Sequence, residues 1–208
     1  MDPELTALLG EVHRHGRAHD AAEPNRLDRL RNLEPDSAAL LALVVRAGRA
    51  RRALELGTSN GYSTLWLADA LRDTGGHLVS VDTDPGRSAQ AARNLDRAAL
   101  HADVELRVQD AAETLRQSPD AHWDFILLDA ERPAYPGYWP DLVRALAPSG
   151  LLAVDNVLSH ADQVAGFRAL VEADPRVVQT VVTVGAGLLL VLRGAPTGAG
   201  SGGRAGGA

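Results

Sequence analysis

Apolar residues recur along the chain in two rhythms, helical at first and then alternating between strand and helix. Leu5, Leu8, Leu9 and Val12 fall at i, i+3, i+4 and i+7, which is one face of a first helix. A polar, basic stretch with His13, His15 and His19 follows. His15 and His19 stand four apart, a spacing that suits two metal ligands on a helix, but Gly16 between them favours a solvated face. Leu27, Leu30 and Leu33 suggest a short second helix. Pro35, with Asp36 and Ser37 beside it, opens a third helix that runs to about Arg46 and ends at Gly48.

From Arg52 onward strands and helices alternate. Arg52 to Leu56 is a short apolar strand ending in Gly57-Thr58-Ser59-Asn60-Gly61, and a helix follows from about Tyr62 to Leu71. Gly75-Gly76 turns into a strand, His77 to Val81, that ends at Asp82. Asp84-Pro85 reads as the N-cap and first-turn proline of a helix through Ala98. Val104 to Val108, Trp123 to Leu128 and Leu151 to Val154 are further strands, ending at Asp110, Asp129 and Asp155-Asn156. Helices are expected at Tyr138 to Leu146 and Asp162 to Ala173. Val177 to Val184 and Leu188 to Leu192, joined by Gly185-Ala186-Gly187, form a closing hairpin. Continuous apolar strands alternating with helices predict an α/β fold: a doubly wound, mainly parallel sheet covered on both faces, with the hairpin as an antiparallel edge.

Composition narrows the possibilities. The 208 residues suit one domain, expected over 1–193 with 1–33 as an N-terminal helical segment. Residues 194–208 are rich in glycine and lack large apolar side chains, so a disordered tail is expected there. There is no cysteine, which excludes disulfides, thiolate metal sites and a cysteine nucleophile. No apolar run is long enough for a membrane span and no signal peptide is evident, so a cytoplasmic protein is expected. The net charge of -6 argues against a nucleic-acid partner. All 21 basic residues are arginine, so no lysine base exists in this chain.

In a doubly wound sheet, ligands sit beyond the carboxyl ends of the strands. The polar clusters of this chain collect there: Glu55 to Gly61, Asp82, Asp110, Asp129 and Asp155-Asn156. The first loop is glycine-rich but is neither a G-x-G-x-x-G turn nor a phosphate loop. Asp82, one strand later, is placed to accept hydrogen bonds from ribose hydroxyls. A nucleoside cofactor is implied, with NAD and S-adenosylmethionine as candidates. Glu55 tilts the choice to S-adenosylmethionine, because an acid is favourable beside a cationic amino-acid portion and unfavourable beside a pyrophosphate.

Ala53-Leu54-Glu55-Leu56-Gly57-Thr58-Ser59-Asn60-Gly61-Tyr62-Ser63-Thr64-Leu65 resembles the first motif of the small S-adenosylmethionine-dependent O-methyltransferases, the relatives of catechol and caffeoyl-CoA O-methyltransferases. Val81-Asp82-Thr83-Asp84-Pro85 resembles the ribose-binding segment of that family, and Asp129-Ala130-Glu131-Arg132 with Tyr135 its metal-and-catalysis loop. Gly150 to Leu158 resembles its second metal motif. The resemblance implies a class I methyltransferase (Rossmann-like) sheet of seven strands with the last antiparallel. It implies that Glu55, Gly57 and Gly61 approach the methionine portion of the cofactor and Ser63 its carboxylate. Asp82 would hold the ribose, Asp110 and Ala111 would meet the adenine edge, and Glu131 would be a further cofactor-contacting acid. Asp129, Asp155 and Asn156 match ligands of a divalent cation, with Mg²⁺ expected. Two carboxylates and an amide oxygen at adjacent strand ends, ~4.8 Å apart, suit such an ion. The implied partner is a small hydroxylated, aromatic acceptor, and the implied assembly a homodimer.

One position departs from the pattern. Arg132 stands where the family carries the lysine understood as the base, and an arginine side chain holds its proton at physiological pH. Three readings follow: cation-assisted loss of the proton to water, His160 as the base, or Arg132 as a binder of an anionic group on the acceptor. The catalytic candidates are therefore Asp129, Arg132 and His160. Two rival functions stand beside the enzyme: an S-adenosylmethionine-binding protein whose catalysis has lapsed, and an NAD-dependent oxidoreductase, against which the missing G-x-G-x-x-G counts.

Overall fold

The computed structural model describes residues 1–195, so most of the glycine-rich tail lies outside the described residues. The alternation seen in the sequence becomes one seven-stranded sheet. Its strands are β1 (Arg52–Leu56), β2 (His77–Asp82), β3 (Val104–Val108), β4 (Trp123–Leu128), β5 (Leu146–Val154), β6 (Val177–Val182) and β7 (Leu188–Arg193). Their order in the sheet is β3-β2-β1-β4-β5-β7-β6. The first five are mutually parallel, and β7 is antiparallel to both of its neighbours. The order reverses between β1 and β4, which is the switch point where such sheets open a crevice.

Helices cover both faces. One face carries α1 (Pro3–Ala22), α2 (Pro35–Ala47), α3 (Tyr62–Thr74) and α4 (Pro85–Arg97) over a core that includes Leu9, Leu41, Leu65, Leu95 and Phe125. On the other, α5 (Ala111–Gln117), α6 (Tyr135–Ala145) and α7 (Ala161–Glu172) pack over Leu54, Ile126, Tyr135, Leu142 and Phe167. Burial on both faces is why these strands read as continuous apolar runs. Asp84 caps α4 through the amides of Gly86 and Arg87, as the Asp84-Pro85 signal predicts.

Several elements differ from expectation. Leu27, Leu30 and Leu33 form no helix: residues 23–34 are a strap, with Leu30 and Leu33 buried and Leu27 exposed. The Asp20 carboxylate takes the amides of Leu30 (2.7 Å) and Arg31 (2.8 Å), and Arg31 adopts φ 49°, which breaks any helical path. Helix α1 instead continues through His13, His15 and His19. Helix α5, capped by Asp110, went unrecognised because it is short. Helix α6 starts earlier, at Tyr135, and β5 starts at Leu146 across an irregular register beside Trp123. The hairpin forms the sheet edge as expected, with β6 outermost and the antiparallel β7 between it and β5. Crossing back from α7, the chain lays β6 one strand further out, and β7 fills the gap beside β5. Leu188-Leu189-Leu190-Val191 suits that enclosed slot, while Gln179 and Thr180 interrupt β6 at the rim.

Candidate active site

The loop after β1 is the first wall of the crevice. Gly57 adopts φ 113° and lies against the Asp129 backbone, where a Cβ would run into the Asp129 carbonyl. Gly61 (φ 84°) starts α3 and packs against Ala91 of α4, which keeps it off the cavity wall. Asp82, at the end of β2, accepts the amides of Ser59 (2.8 Å) and Asp84 (2.9 Å), so its carboxylate fixes both loops while facing the cavity.

The strap roofs this space. Ser59 donates to the Leu30 carbonyl (2.7 Å), and the Arg87 guanidinium donates to the carbonyls of Leu27 and Arg29. At its far side Arg26 (2.9 Å) and Arg31 (2.7 Å) both pair with Glu131. The cavity measures about 370 Å³. Of the residues expected at the site, Gly57, Ser63, Asp82, Asp110, Ala111, Asp129, Glu131 and Arg132 line it together, with Leu30, Arg31 and Tyr138.

Glu55 is set one layer back. It is fully buried, and its carboxylate accepts the hydroxyls of Ser63 (2.5 Å), Thr64 (2.6 Å) and Ser80 (2.6 Å). Thr58 extends the network to Ser80 at 2.6 Å. Burial pushes the Glu55 carboxyl up to about 7 against those three hydroxyls, and the charge of Asp129 pushes it the same way. The partners were missed in the sequence, although a serine inside an apolar strand at the register position beside Glu55 is a signal for them.

The ends of β4 and β5 bring the second cluster together. The ladder runs one residue past each strand: Asp129 donates its amide to Leu56 (3.0 Å) and Asp155 its amide to Leu128 (3.3 Å). Their carboxyls thus emerge on neighbouring rungs. Burial pushes Asp129 up to about 6, although Arg31 and Arg132 pull it down. Burial, and then the charge of Asp129, push Asp155 up to about 7. Asn156, in the left-handed region at φ 65°, donates its amide to Asp155 Oδ2 at 2.7 Å. Asp155 Oδ1 is buried and has no partner.

This donor set fits a hard divalent cation, because two buried carboxylates that repel each other and an orphaned oxygen lack a positive partner in contact. No cluster of three or more His, Cys, Asp or Glu side chains suited to a metal occurs among the described residues, so the third ligand would have to be the amide oxygen of Asn156. That oxygen now accepts from Ser159 (3.3 Å), and a half-turn of the amide exchanges it with the nitrogen.

Arg132 sits in a short 3₁₀ turn beside this pair and is only 4% exposed. Its Nη1 reaches Gln163 of α7 at 3.4 Å, and its Nε is buried without a partner. His160 caps α7, with Nδ1 2.9 Å from the Ser159 hydroxyl. Burial, followed by the charges of Arg132, Arg26 and Arg31, lowers its proton affinity. Tyr135 is buried and donates to the Ala130 carbonyl (2.9 Å), which anchors the Asp129–Arg132 loop. Arg26 and Arg31 went unrecognised, since nothing local marks a pairing that spans a hundred residues.

The chain is similar to known proteins in sequence and in fold. A sequence model of the O-methyltransferase family matches residues 25–194. The chain is 35% identical over 130 residues to a catechol O-methyltransferase of Niastella koreensis, a match covering 61% of this chain and 58% of that protein. It is 32% identical over 180 residues to a catechol O-methyltransferase of Mycobacterium tuberculosis, covering 81% of this chain and 76% of the relative. Among solved structures, the Bacillus cereus O-methyltransferase in complex with SAH (S-adenosylhomocysteine) superimposes with a TM-score of 0.76 at 29% identity, covering 90% of both chains. The Streptomyces achromogenes O-methyltransferase of tomaymycin synthesis, in complex with SAM (S-adenosylmethionine), gives 0.74 at 29% identity, covering 93% of this chain and 91% of that one. Its sheet order, its strand-end cavity and these matches together make the chain a member of the O-methyltransferase family.

Proposed function

We propose that the chain transfers a methyl group from S-adenosylmethionine to a hydroxyl oxygen of a small aromatic acceptor, assisted by a divalent cation, Mg²⁺ first among the candidates. The observation that carries this reading is the strand-end cavity lined by Asp129, with the buried Asp155 on the neighbouring rung and its Oδ1 unpartnered. The catechol O-methyltransferase relatives support the acceptor class, and the SAH- and SAM-bound neighbours support the cofactor over NAD.

In this reading Gly57 and Ser63 meet the methionine portion, and Glu55 fixes the Ser63 hydroxyl from behind. Asp82 takes the ribose hydroxyls, Asp110 and Ala111 meet the adenine edge, and Glu131 joins the cofactor to the strap that Arg26 and Arg31 hold. Asp129, Asp155 and Asn156 would hold the cation, which when bound supplies Lewis acidity toward the acceptor oxygen. The acceptor oxygen forms a bond to the methyl carbon as the carbon–sulfur bond breaks, and its electron pair returns to sulfur. Catalysis rests largely on positioning. One proton must leave the acceptor hydroxyl, and an arginine cannot take it. His160 is the candidate base: burial, and then the charges of Arg132, Arg26 and Arg31, lower its proton affinity, and the Ser159 hydroxyl contacts its ring.

Arg132 also favours a second reading, a cofactor-binding protein without turnover. Calorimetry with S-adenosylhomocysteine and with NAD tests the cofactor. The first should bind, the second should not, and Asp82→Ala should weaken binding by roughly tenfold or more, since it removes ~1.5–3 kcal/mol of ribose hydrogen bonds. NAD binding without any response to S-adenosylhomocysteine contradicts the proposal. Binding without methyl transfer to any of a panel of hydroxylated arenes selects the second reading.

A further inference from the structure

Arg132 is a buried cation that the protein leaves incompletely answered. At 4% exposure its guanidinium has given up most of its water. In return it makes one long contact, 3.4 Å from Nη1 to Gln163 Oε1. Its Nε has no partner, and no ion pair forms at it among the described residues. Burying a charge in that state is unfavourable unless something else supplies hydrogen bonds and opposite charge. Asp129 and Asp155 act on it through space only, beyond ion-pair distance. In the reading above their charge serves a cation, so it is not available to Arg132.

The neighbouring charges point the same way. Arg26 and Arg31 converge on one carboxylate, Glu131, and among the described residues no second acid joins them. Burial, followed by the charges of Arg132, Arg26 and Arg31, lowers the proton affinity of His160 at the start of α7.

We propose that Arg132 is the anion-binding residue of the acceptor subsite, and that the acceptor is a hydroxylated arene bearing a carboxylate. This rests on the methyltransferase reading and goes beyond it by fixing the acceptor's charge. A guanidinium presents parallel N–H donors that match the two oxygens of a carboxylate, a geometry the ammonium of lysine cannot reproduce. A single incompletely answered charge calls for a monoanion. In this chain the lysine-to-arginine exchange therefore trades a base for a recognition group.

The test compares two probes that differ in that charge and one methyl group, 3,4-dihydroxybenzoate and its methyl ester, in protein saturated with S-adenosylhomocysteine and in turnover with S-adenosylmethionine. Wild type should bind the acid at least roughly tenfold more tightly than the ester and show the same preference in kcat/KM. Arg132→Met should reduce that ratio to within about twofold, and Arg132→Lys should retain an intermediate ratio, because a point charge replaces the fork. S-adenosylhomocysteine binding reports whether each variant is folded, and the lysine variant keeps a charge at the site should the methionine variant fail to fold. Equal affinity of wild type for acid and ester overturns the proposal, as does an unchanged ratio in Arg132→Met. Methylation of the ester as readily as the acid removes the charge preference while leaving methyl transfer intact. Failure of the wild type to bind S-adenosylhomocysteine removes the underlying reading and this one with it.

Discussion

Glu55→Gln isolates the effect of a buried carboxylate on stability. Burial raises the Glu55 carboxyl from 4.5 to about 7 in the folded protein. Because the folded value is raised, the favourable contribution belongs to the protonated form. It is complete below the unfolded value and is lost as pH rises through about 7. Between about pH 5 and about pH 8, this one group should remove ~2–3 kcal/mol of stability from the wild type. Glutamine keeps the shape and cannot ionise, so the variant should lack that part of the decline. For a chain of this size the gap corresponds to a Tm difference of ~4–10 °C. The experiment is denaturant unfolding of both proteins across the pH range with chelator present and cofactor absent. Asp129 and Asp155, also raised, contribute to the decline in both proteins, so the difference between the two curves reports Glu55 together with its coupling to Asp129. Curves that stay parallel from about pH 5 to about pH 8 refute the reasoning, because they mean that the carboxyl does not change protonation on folding.

Two further perturbations probe the cavity walls. Gly57→Ala should destabilise the fold by ~2 kcal/mol or more, since position 57 combines φ 113° with direct approach to the Asp129 carbonyl; a melting temperature equal to wild type contradicts this. Glu131→Gln should release the strap from Arg26 and Arg31, partly exposed pairs worth up to ~1 kcal/mol each, and speed S-adenosylhomocysteine dissociation by roughly threefold or more. High salt should narrow that gap, and stopped-flow rates identical to wild type at low salt count against the strap.

The fold was legible wherever a local pattern met a local boundary. Strands β1, β3 and β4 lie where their apolar runs place them, because glycine or an aspartate turn bounds each run. The strap was not legible, because the spacing of Leu27, Leu30 and Leu33 imitates a helix while the Asp20 side chain and the turn at Arg31 decide otherwise. Nor was the inward position of β7, which depends on the path of the chain after α7. At the site, the strand-end acids announce themselves, and the structure gathers Asp82, Asp110 and Asp129 around one cavity, with Asp155 on the rung next to Asp129. The depth of Glu55 and the pairing of Glu131 with two arginines are tertiary facts without a local signature.

The most direct measurement is transfer of an isotopically labelled methyl group from S-adenosylmethionine to 3,4-dihydroxybenzoate, read by mass spectrometry with Mg²⁺ and with excess chelator, for wild type and Asp155→Asn. The account predicts a monomethylated product with Mg²⁺, none with chelator, and recovery when Mg²⁺ is restored. Asp155→Asn should be inactive while still binding S-adenosylhomocysteine. Full turnover in excess chelator would contradict the cation's role, and no product from a wild-type protein that binds the cofactor would contradict methyl transfer to this acceptor class.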